Sequence, residues 1–300
     1  MLDDEFEAHR RQLEGLAYRM CGVLADAQDV VQETHLRWCN AERASIHNPK
    51  SWLVTVCTRI AVDVMKSARA RREQYVGVWL PEPYVDQADD PGLRAEIDDS
   101  VSVALMVAME ALTPSERAAF LLHDVFGYRF CEVAEILERS DAACRKLASR
   151  ARKAVRRERP HPASRPEQYR RLLQAFFQAA HAGDFEGLEA LLLESVQLHA
   201  DGGGKVPTAA GPLHGPSAVA AFFARIWREN VPTEESVQID ALWFNGAPGV
   251  SIRQDERLIA ALAIAVEGDA IARIFAVRNP DKLRLLSRAS RPFPDARVRQ

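Results

Sequence analysis

The chain has 300 residues, 47% apolar and 27% charged, with a net charge of −3 and only 15 Gly and 16 Pro. At about 150 residues per domain this predicts two or three domains of a globular protein and excludes collagen-like, disordered and coiled-coil classes. The apolar run through Ile259 to Val266 is far short of the roughly 20 residues that cross a bilayer, and the acidic start at Asp3, Asp4 and Glu5 lacks the order of a secretory signal, so a cytoplasmic protein is expected. The five cysteines (Cys21, Cys39, Cys57, Cys131, Cys144) form no C-x-x-C pair, which predicts buried, reduced thiols and argues against a disulfide frame or zinc knuckle; no metal site and no cofactor is implied.

Charge alternates strongly along the chain. Residues 1–40 carry a net −4, 41–76 carry +4, 77–99 carry −6, 100–138 carry −4, 139–159 carry +7, and 160–300 balance. A single charge run is ordinarily a solvated helix face. Two basic blocks joined by an acidic, Pro-containing tether suggest instead two anion-binding modules that grip one polyanion together.

In the first module, Phe6, Leu13, Leu16, Ala17 and Met20 recur at helical spacing. A second helix is expected from Asp26 as N-cap, burying Ala27, Val30, Val31, Thr34 and Trp38 and displaying Asp29, Glu33 and Arg37 on one outer stripe, which suits a basic protein partner. Asn48 as N-cap with Pro49 at the first position announces a third helix that buries Leu53, Val56, Cys57, Ile60 and Val64 and ends in Lys66, Arg69, Arg71 and Arg72. Trp52 and Arg59 on its exposed side have the chemistry that single-stranded nucleic acid requires, although a tryptophan is as readily a core residue.

The stretch that begins at Trp79 to Pro83 (WLPEP) holds too much Pro, Asp and Gly for a helix and reads as an extended tether, able to thread a channel built for nucleic acid or to act as a solvated spacer. Helical periodicity returns from Asp98 to about Leu112. Thr113, Pro114 and Glu116 then form a capping box. A short helix around Arg129 to Glu138, burying Phe130, Val133, Ala134 and Leu137, precedes a second one capped by Ser140. That second helix turns Cys144, Leu147, Ala148, Ala151 and Val155 inward and shows Arg145, Lys146, Ser149, Arg152, Lys153 and Arg156. The pair reads as a helix-turn-helix, with Ala142, Arg145, Lys146 and Ser149 nearest the base edges and the later arginines on phosphates.

The runs DAQDVVQETHLRW (26–38) and NPKSWLVTVCTR (48–59) resemble region two of bacterial extracytoplasmic-function (ECF) sigma factors, and LTPSERAAFLLHDVFGYRF (112–130) with RSDAACRKLASRAR (139–152) resembles region four. Glu138 and Arg139 stand where a Gly often sits in the turn. The resemblance implies an initiation subunit, not an enzyme. It assigns Asp29, Gln32, Glu33 and Arg37 to core RNA polymerase, through its β′ clamp helices. It assigns Asn48, Lys50, Trp52, Arg59, Lys66 and Arg69 to minus-ten promoter DNA, single-stranded once opened. Region four implies contact with double-stranded minus-35 DNA through Ala142, Arg145, Lys146, Ser149, Arg152 and Arg156, and with the β flap.

Beyond a breaker-rich join, Tyr169 to Leu193 reads as two helices divided at Gly183 and Asp184, Val196 to Ala200 as a strand, and Pro216 to Arg228 as a helix packing Val219, Phe222, Phe223 and Ile226. Val237 to Phe244, Gly249 to Arg253, Leu258 to Val266 and Ala270 to Val277 read as strands. Helices on a curved antiparallel sheet give an α+β cone, and the order resembles the SnoaL-like, ketosteroid-isomerase-like fold. The expected organisation is therefore multi-domain: region two (1–76), linker (77–97), region four (98–159), a short linker (160–166), the SnoaL-like domain (167–288) and a tail expected to be flexible (289–300).

Two strings in that domain carry the rest. Asp201 to Lys205 reads DGGGK, by itself an anion nest or a flexible turn, and Asn279 to Leu283 reads NPDKL. With WLPEP, they resemble the ECF subgroup bearing a fused SnoaL-like extension. That resemblance implies regulatory contacts by Trp79, Leu80, Pro81, Glu82 and Pro83 of the linker with Asp201, Gly202, Gly203, Gly204 and Lys205 and with Asn279, Pro280, Asp281, Lys282 and Leu283. It further implies that the extension replaces a separate anti-sigma factor, with no membrane partner. Two rival readings are a cone domain that retains ligand binding or an isomerase or cyclase activity, with His199, Asp201 or His214 as the residues to test, and a repressor or activator that uses the helix-turn-helix alone.

Overall fold

A computed structural model describes residues 4–85, 102–158, 166–230 and 237–289, which divide into two compact units: residues 1–74 with 106–158, and residues 75–105 with 159–300. Both sigma-like segments thus lie in one unit. The described part of the linker, given a separate span in the expected organisation but expected to contact the C-terminal domain, belongs with that domain. Linker residues 86–97 and tail residues 290–300 lie outside the described residues.

The first unit opens with α1 (Asp4–Cys21), α2 (Leu24–Asn40) and α3 (Pro49–Glu73). The apolar stripes expected on α1 and α2 are buried. The α2 N-cap is Val23, without a side-chain cap, and Asp26 sits in the first turn, where its charge still favours the helix N-terminus. Asn48 caps α3 by accepting from the Ser51 amide at 3.0 Å. The buried stripe of α3 differs from the expected one: Leu53 and Cys57 are shared, but Val54, Ala61, Met65 and Ala68 complete it, while Val56, Ile60 and Val64 are half-buried. The helix is apolar on nearly all sides over 53–65, so periodicity alone does not choose its inner face. Burial pushes the Cys57 thiol up to about 12. Cys21 and Cys144 are also buried, whereas Cys39 and Cys131 are exposed, contrary to expectation.

Among the described residues four α-helices follow: α4 (Val103–Met109), shorter than the expected 98–112, α5 (Pro114–Phe120), which runs into a π-helical turn at Leu121–Val125, α6 (Phe130–Leu137) and α7 (Asp141–Glu158). The Thr113 hydroxyl accepts from the Glu116 amide, and the Glu116 carboxylate accepts from the Thr113 amide, closing the capping box. On α6, Val133 and Ile136 are the buried pair, while Phe130, Ala134 and Leu137 are half-buried. Glu138 adopts φ 53°, ψ 48° and ends α6 in the left-handed cap that a glycine would adopt more cheaply. Ser140 caps α7, and the five residues expected inside are all buried.

The second unit is an α+β domain. It comprises α8 (Pro166–Ala182), α9 (Phe185–Ala190), β1 (Leu192–Asp201), β2 (Leu213–His214), α10 (Pro216–Asn230), β3 (Val237–Phe244), β4 (Ala247–Gln254), β5 (Arg257–Glu267), β6 (Ala270–Val277) and α11 (Pro280–Ala289). Among the described residues the sheet has six strands in the order β2-β1-β6-β5-β4-β3, antiparallel except for the parallel β1–β6 pair. The first strand starts at Leu192, so the second expected helix ends earlier, at Ala190. Alternation sends Val196, Leu198 and Ala200 of β1 into one core with Leu172, Phe176, Val219, Phe223, Leu262 and Ile274. Apolar side chains thereby line the space between helices and sheet. Phe176, 1% exposed, makes edge-on contacts with Phe177 and Phe223. Phe176→Ala should lower the stability of this domain by about 3–5 kcal/mol, read as a lower urea midpoint at unchanged slope.

Candidate functional site

The parallel β1–β6 pairing carries Asp201, the last residue of β1, beside Val277, the last residue of β6. The Asp201 carbonyl accepts from the amides of Arg278 and Asn279, which fixes the start of α11 against the end of β1. The NPDKL string is a helix start: Asn279 precedes Pro280, the first helical residue, and its Oδ1 accepts from the Asp281 amide at 3.0 Å. One turn of helix then aims Lys282 at Asp201.

Here the linker is bound. The Asp201 carboxylate is fully buried and accepts from the Tyr75 hydroxyl at 2.6 Å and the Gly203 amide at 3.0 Å on Oδ1. On Oδ2 it accepts from the Leu80 amide at 2.9 Å and the Lys282 ammonium at 2.7 Å. All its acceptor capacity is used, which is the condition under which a carboxylate tolerates complete burial. Lys282, 8% exposed, also donates to the Leu80 carbonyl at 2.5 Å, and its ammonium lies 4.3 Å from the Trp79 ring centroid and 5.0 Å from that of Tyr75. Both backbone groups of Leu80 are thus held by the two members of one ion pair. Leu80 itself is fully buried, and Pro81, Glu82 and Pro83 are buried beside it in sequence.

The glycines of DGGGK form a turn closed by the Lys205 amide on the Gly202 carbonyl, and the Gly203 amide is spent on Asp201, so the string is no nest for an outside anion. Gly203 and Gly204 have φ of 62° and 69°. A Cβ on Gly203 would stand 2.3 Å from the side-chain Nδ2 of Asn279, and one on Gly204 would stand 3.1 Å from Val76. Lys205 ion-pairs with Asp281, both half-exposed, and holds that carboxyl below its usual range.

Sequence reasoning missed two anchors. Tyr75, just past α3, donates to Asp201 and accepts from the side-chain Nδ2 of Asn279 at 2.8 Å. Asn245, in the left-handed region at the β3–β4 turn, exchanges two bonds with Tyr84: its amide donates to the Tyr84 carbonyl at 2.7 Å and its Oδ1 accepts from the Tyr84 amide at 2.9 Å. An Asn-Gly hairpin turn is a recognisable signal, but nothing in it foretells a partner 161 residues away.

His199 is half-buried, near Gln197 Oε1 at 3.2 Å and stacked on Phe275, and His214 is exposed on β2. Asp201 has no lone pair left for a substrate proton.

In the first unit, Asp29, Gln32 and Arg37 are exposed on α2, and Glu33 accepts from Arg37 at 2.8 Å. On α3, the Asn48 side chain is engaged as a cap, Lys50 is exposed, and Trp52 is half-buried with its ring 5.5 Å from that of Trp38. Lys66 pairs with Asp63 at 2.8 Å. The Arg69 side chain lies outside what is described. On α7, Ala142, Arg145, Lys146, Ser149 and Arg156 are exposed; Arg145 is bound to Asp141 at 2.5 Å and Arg152 to Asp124 at 2.6 Å. Arg139 and Arg150, not singled out by sequence, join Lys146 and Ser149 around a shallow groove of about 350 Å³. Among the described residues no helix is long and apolar enough to cross a membrane.

The model of Sigma-70 region 2 matches residues 6–71, and that of Sigma-70, region 4 matches residues 102–155. The chain belongs to the ECF RNA polymerase sigma factors, which act with core RNA polymerase and promoter DNA in transcription initiation. It is 38% identical over 290 residues to ECF RNA polymerase sigma factor SigJ of Mycobacterium tuberculosis, across 93% of this chain and 92% of that one. A probable ECF sigma factor of the same organism, SigI, is 31% identical over 280 residues, 93% of each chain. The crystal structure of M. tuberculosis SigJ matches the fold with a TM-score of 0.75 at 35% identity, covering 93% of this chain and 97% of that one.

Two outcomes follow from the linker site. Lys282→Met leaves Asp201 buried without its counter-charge and should destabilise the second unit by about 3–5 kcal/mol. Lys205→Ala removes a half-exposed pair and should cost under about 1 kcal/mol; urea titrations of the two variants should separate them clearly. Burial, and then the hydrogen bond to Asp201, raise the Tyr75 hydroxyl above its ordinary value of 10.0. A raised value means that the linker contact is intact below about pH 10 and weakens as pH climbs through the folded-state value. Trp79 fluorescence should report an alkaline release that Tyr75→Phe abolishes.

Proposed function

We propose that the C-terminal domain controls this sigma factor by holding the linker between its two sigma modules. The observation that carries this reading is the capture of both Leu80 backbone groups by Asp201 and Lys282. A segment whose main-chain donor and acceptor are buried against one domain is not available to any other surface, so polymerase and dock compete for it. Weakening the dock enlarges the competent population by the ratio of the two affinities.

The same reading assigns the exposed Asp29, Gln32, Glu33 and Arg37 on α2 to the β′ clamp helices of core polymerase. Lys50, Lys66 and Arg69 take minus-ten phosphates, with Arg59 and Trp52 beside them, and Asn48 contributes by setting the start of α3. The N-terminal half of α7, with Ala142, Arg145, Lys146 and Ser149, enters the major groove at minus-35 while Arg152 and Arg156 face phosphates, and region four meets the β flap. Arg145 and Arg152 then exchange their carboxylate partners for DNA, which makes binding weaken with salt. With the dock built in, no separate anti-sigma factor is required. Asp201's saturated carboxylate favours this over an isomerase or cyclase activity, and the cytoplasm is where such a subunit meets its polymerase.

Run-off transcription with purified core polymerase tests the proposal. A chain carrying Lys282→Ala, or ending before Asn279, should initiate severalfold more than the intact chain at limiting sigma concentration. Equal or reduced initiation by both would refute control by sequestration.

A further inference from the structure

Phe130, the first residue of α6, is expected from the sequence to lie inside the helix-turn-helix, yet it is only half-buried and carries an exposed arginine. The guanidinium carbon of Arg145, one turn into α7, sits over the Phe130 ring, 4.8 Å from its centroid. The His123 ring stacks on the same aromatic, with 3.8 Å between centroids and 27° between planes. His123 is fixed in turn. Its Nδ1 lies 2.8 Å from the Tyr128 carbonyl, which can only accept, so that nitrogen carries the proton.

His123 reaches this position from the π-helical turn, in which the Phe126 amide donates to the Leu121 carbonyl, five residues back, at 2.9 Å. The same wide turn presents Asp124, whose carboxylate takes Arg152 at 2.6 Å. Arg145 and Arg152 are seven residues apart, about two turns, and share one side of α7. One irregular turn thus holds both arginines of that stripe, but by different means. Arg152 is held by a carboxylate alone. Arg145 has a carboxylate in Asp141, with Nε 2.5 Å from Oδ1, and in addition the ring. An aromatic face attracts a guanidinium without using its N–H edges, so the Phe130 contact survives when Asp141 is exchanged for DNA.

That survival decides what Arg145 meets. A released arginine with no support samples its rotamers among phosphates, which take most protein–DNA hydrogen bonds. Reading O6 and N7 of a guanine needs two donors of one guanidinium held in the plane of the base. A side chain immobilised before contact loses less entropy in forming that pair. We propose that Phe130, steadied by His123, is a positioning residue that keeps Arg145 directed into the major groove, so that Arg145 reads a guanine of the minus-35 duplex rather than a phosphate. This rests on the assignment of α7 to minus-35 DNA made above.

The full-length chain bound to purified core polymerase is presented with duplexes randomised across the minus-35 element, and the retained sequences are counted. The wild-type chain should prefer guanine at one position, and Arg145→Ala should abolish that preference. Phe130→Leu, which keeps apolar bulk without a ring, should reduce the same preference about two- to fivefold, the effect of an exposed cation–π contact, and leave the other positions unchanged. Phe130→Tyr restores the ring and should restore the preference. His123→Gln keeps a donor for the Tyr128 carbonyl but no ring, and should reduce the preference about twofold at that position; it decides alone if Phe130→Leu does not fold. Unchanged preference in these variants, or a loss spread evenly over every position as a merely structural role would give, overturns the proposal. A uniform loss of affinity in Arg145→Ala, with no base affected, makes Arg145 a phosphate contact and also overturns it. Failure of the wild-type holoenzyme to select any minus-35 sequence would refute the assignment of α7 itself, and the proposal with it.

Discussion

A fully buried carboxylate at the end of β1, neutralised by a lysine from the first turn of α11, organises the second unit of this protein. Taking Asp201 and Lys282 out of water is costly, and their attraction offsets that cost only if every remaining donor and acceptor is satisfied. The chain meets this condition by recruiting the linker. Tyr75 and the Leu80 amide complete Asp201, and the Leu80 carbonyl with the Trp79 and Tyr75 rings completes Lys282. The linker is therefore part of the ion pair's own solvation, and the pair and the bound linker form one cooperative unit. This explains why three strings far apart in the chain meet: each supplies what the other two lack.

The same economy of contacts operates in the first unit, at lower energy. Arg59 is exposed, and its contacts with the end of α6 are individually modest.

Much of this was legible in sequence because it is written in local chemistry. The Thr113-Pro114-Glu116 box, the Asn48-Pro49 helix start and the inner face of α7 are short-range patterns with direct mechanical meaning. The strands of the second unit alternate or run apolar as buried strands must. What was not legible depends on partners remote in the chain. Tyr75 looks like the frayed end of a basic helix until Asp201 is placed beside it. Asn279-Pro280 is the same helix-start signal as Asn48-Pro49, yet nothing local tells that Lys282 in the turn after it faces inward. The inner face of α3 could not be chosen because Val54, Val56, Ile60 and Met65 surround the helix with apolar surface. Arg59 has the chemistry of a nucleic-acid contact, and the sequence cannot report that helix carbonyls compete for it.

The central claim is that the linker is docked in the free protein and surrendered to polymerase. Amide hydrogen exchange over residues 75–85 of the full-length chain, measured free and in complex with core polymerase, addresses it most directly. The account predicts slow exchange of the Leu80 and Tyr84 amides in the free chain and a large acceleration, or a changed protection pattern, in the complex. Rapid exchange in the free chain, or protection that is identical with and without polymerase, would contradict it.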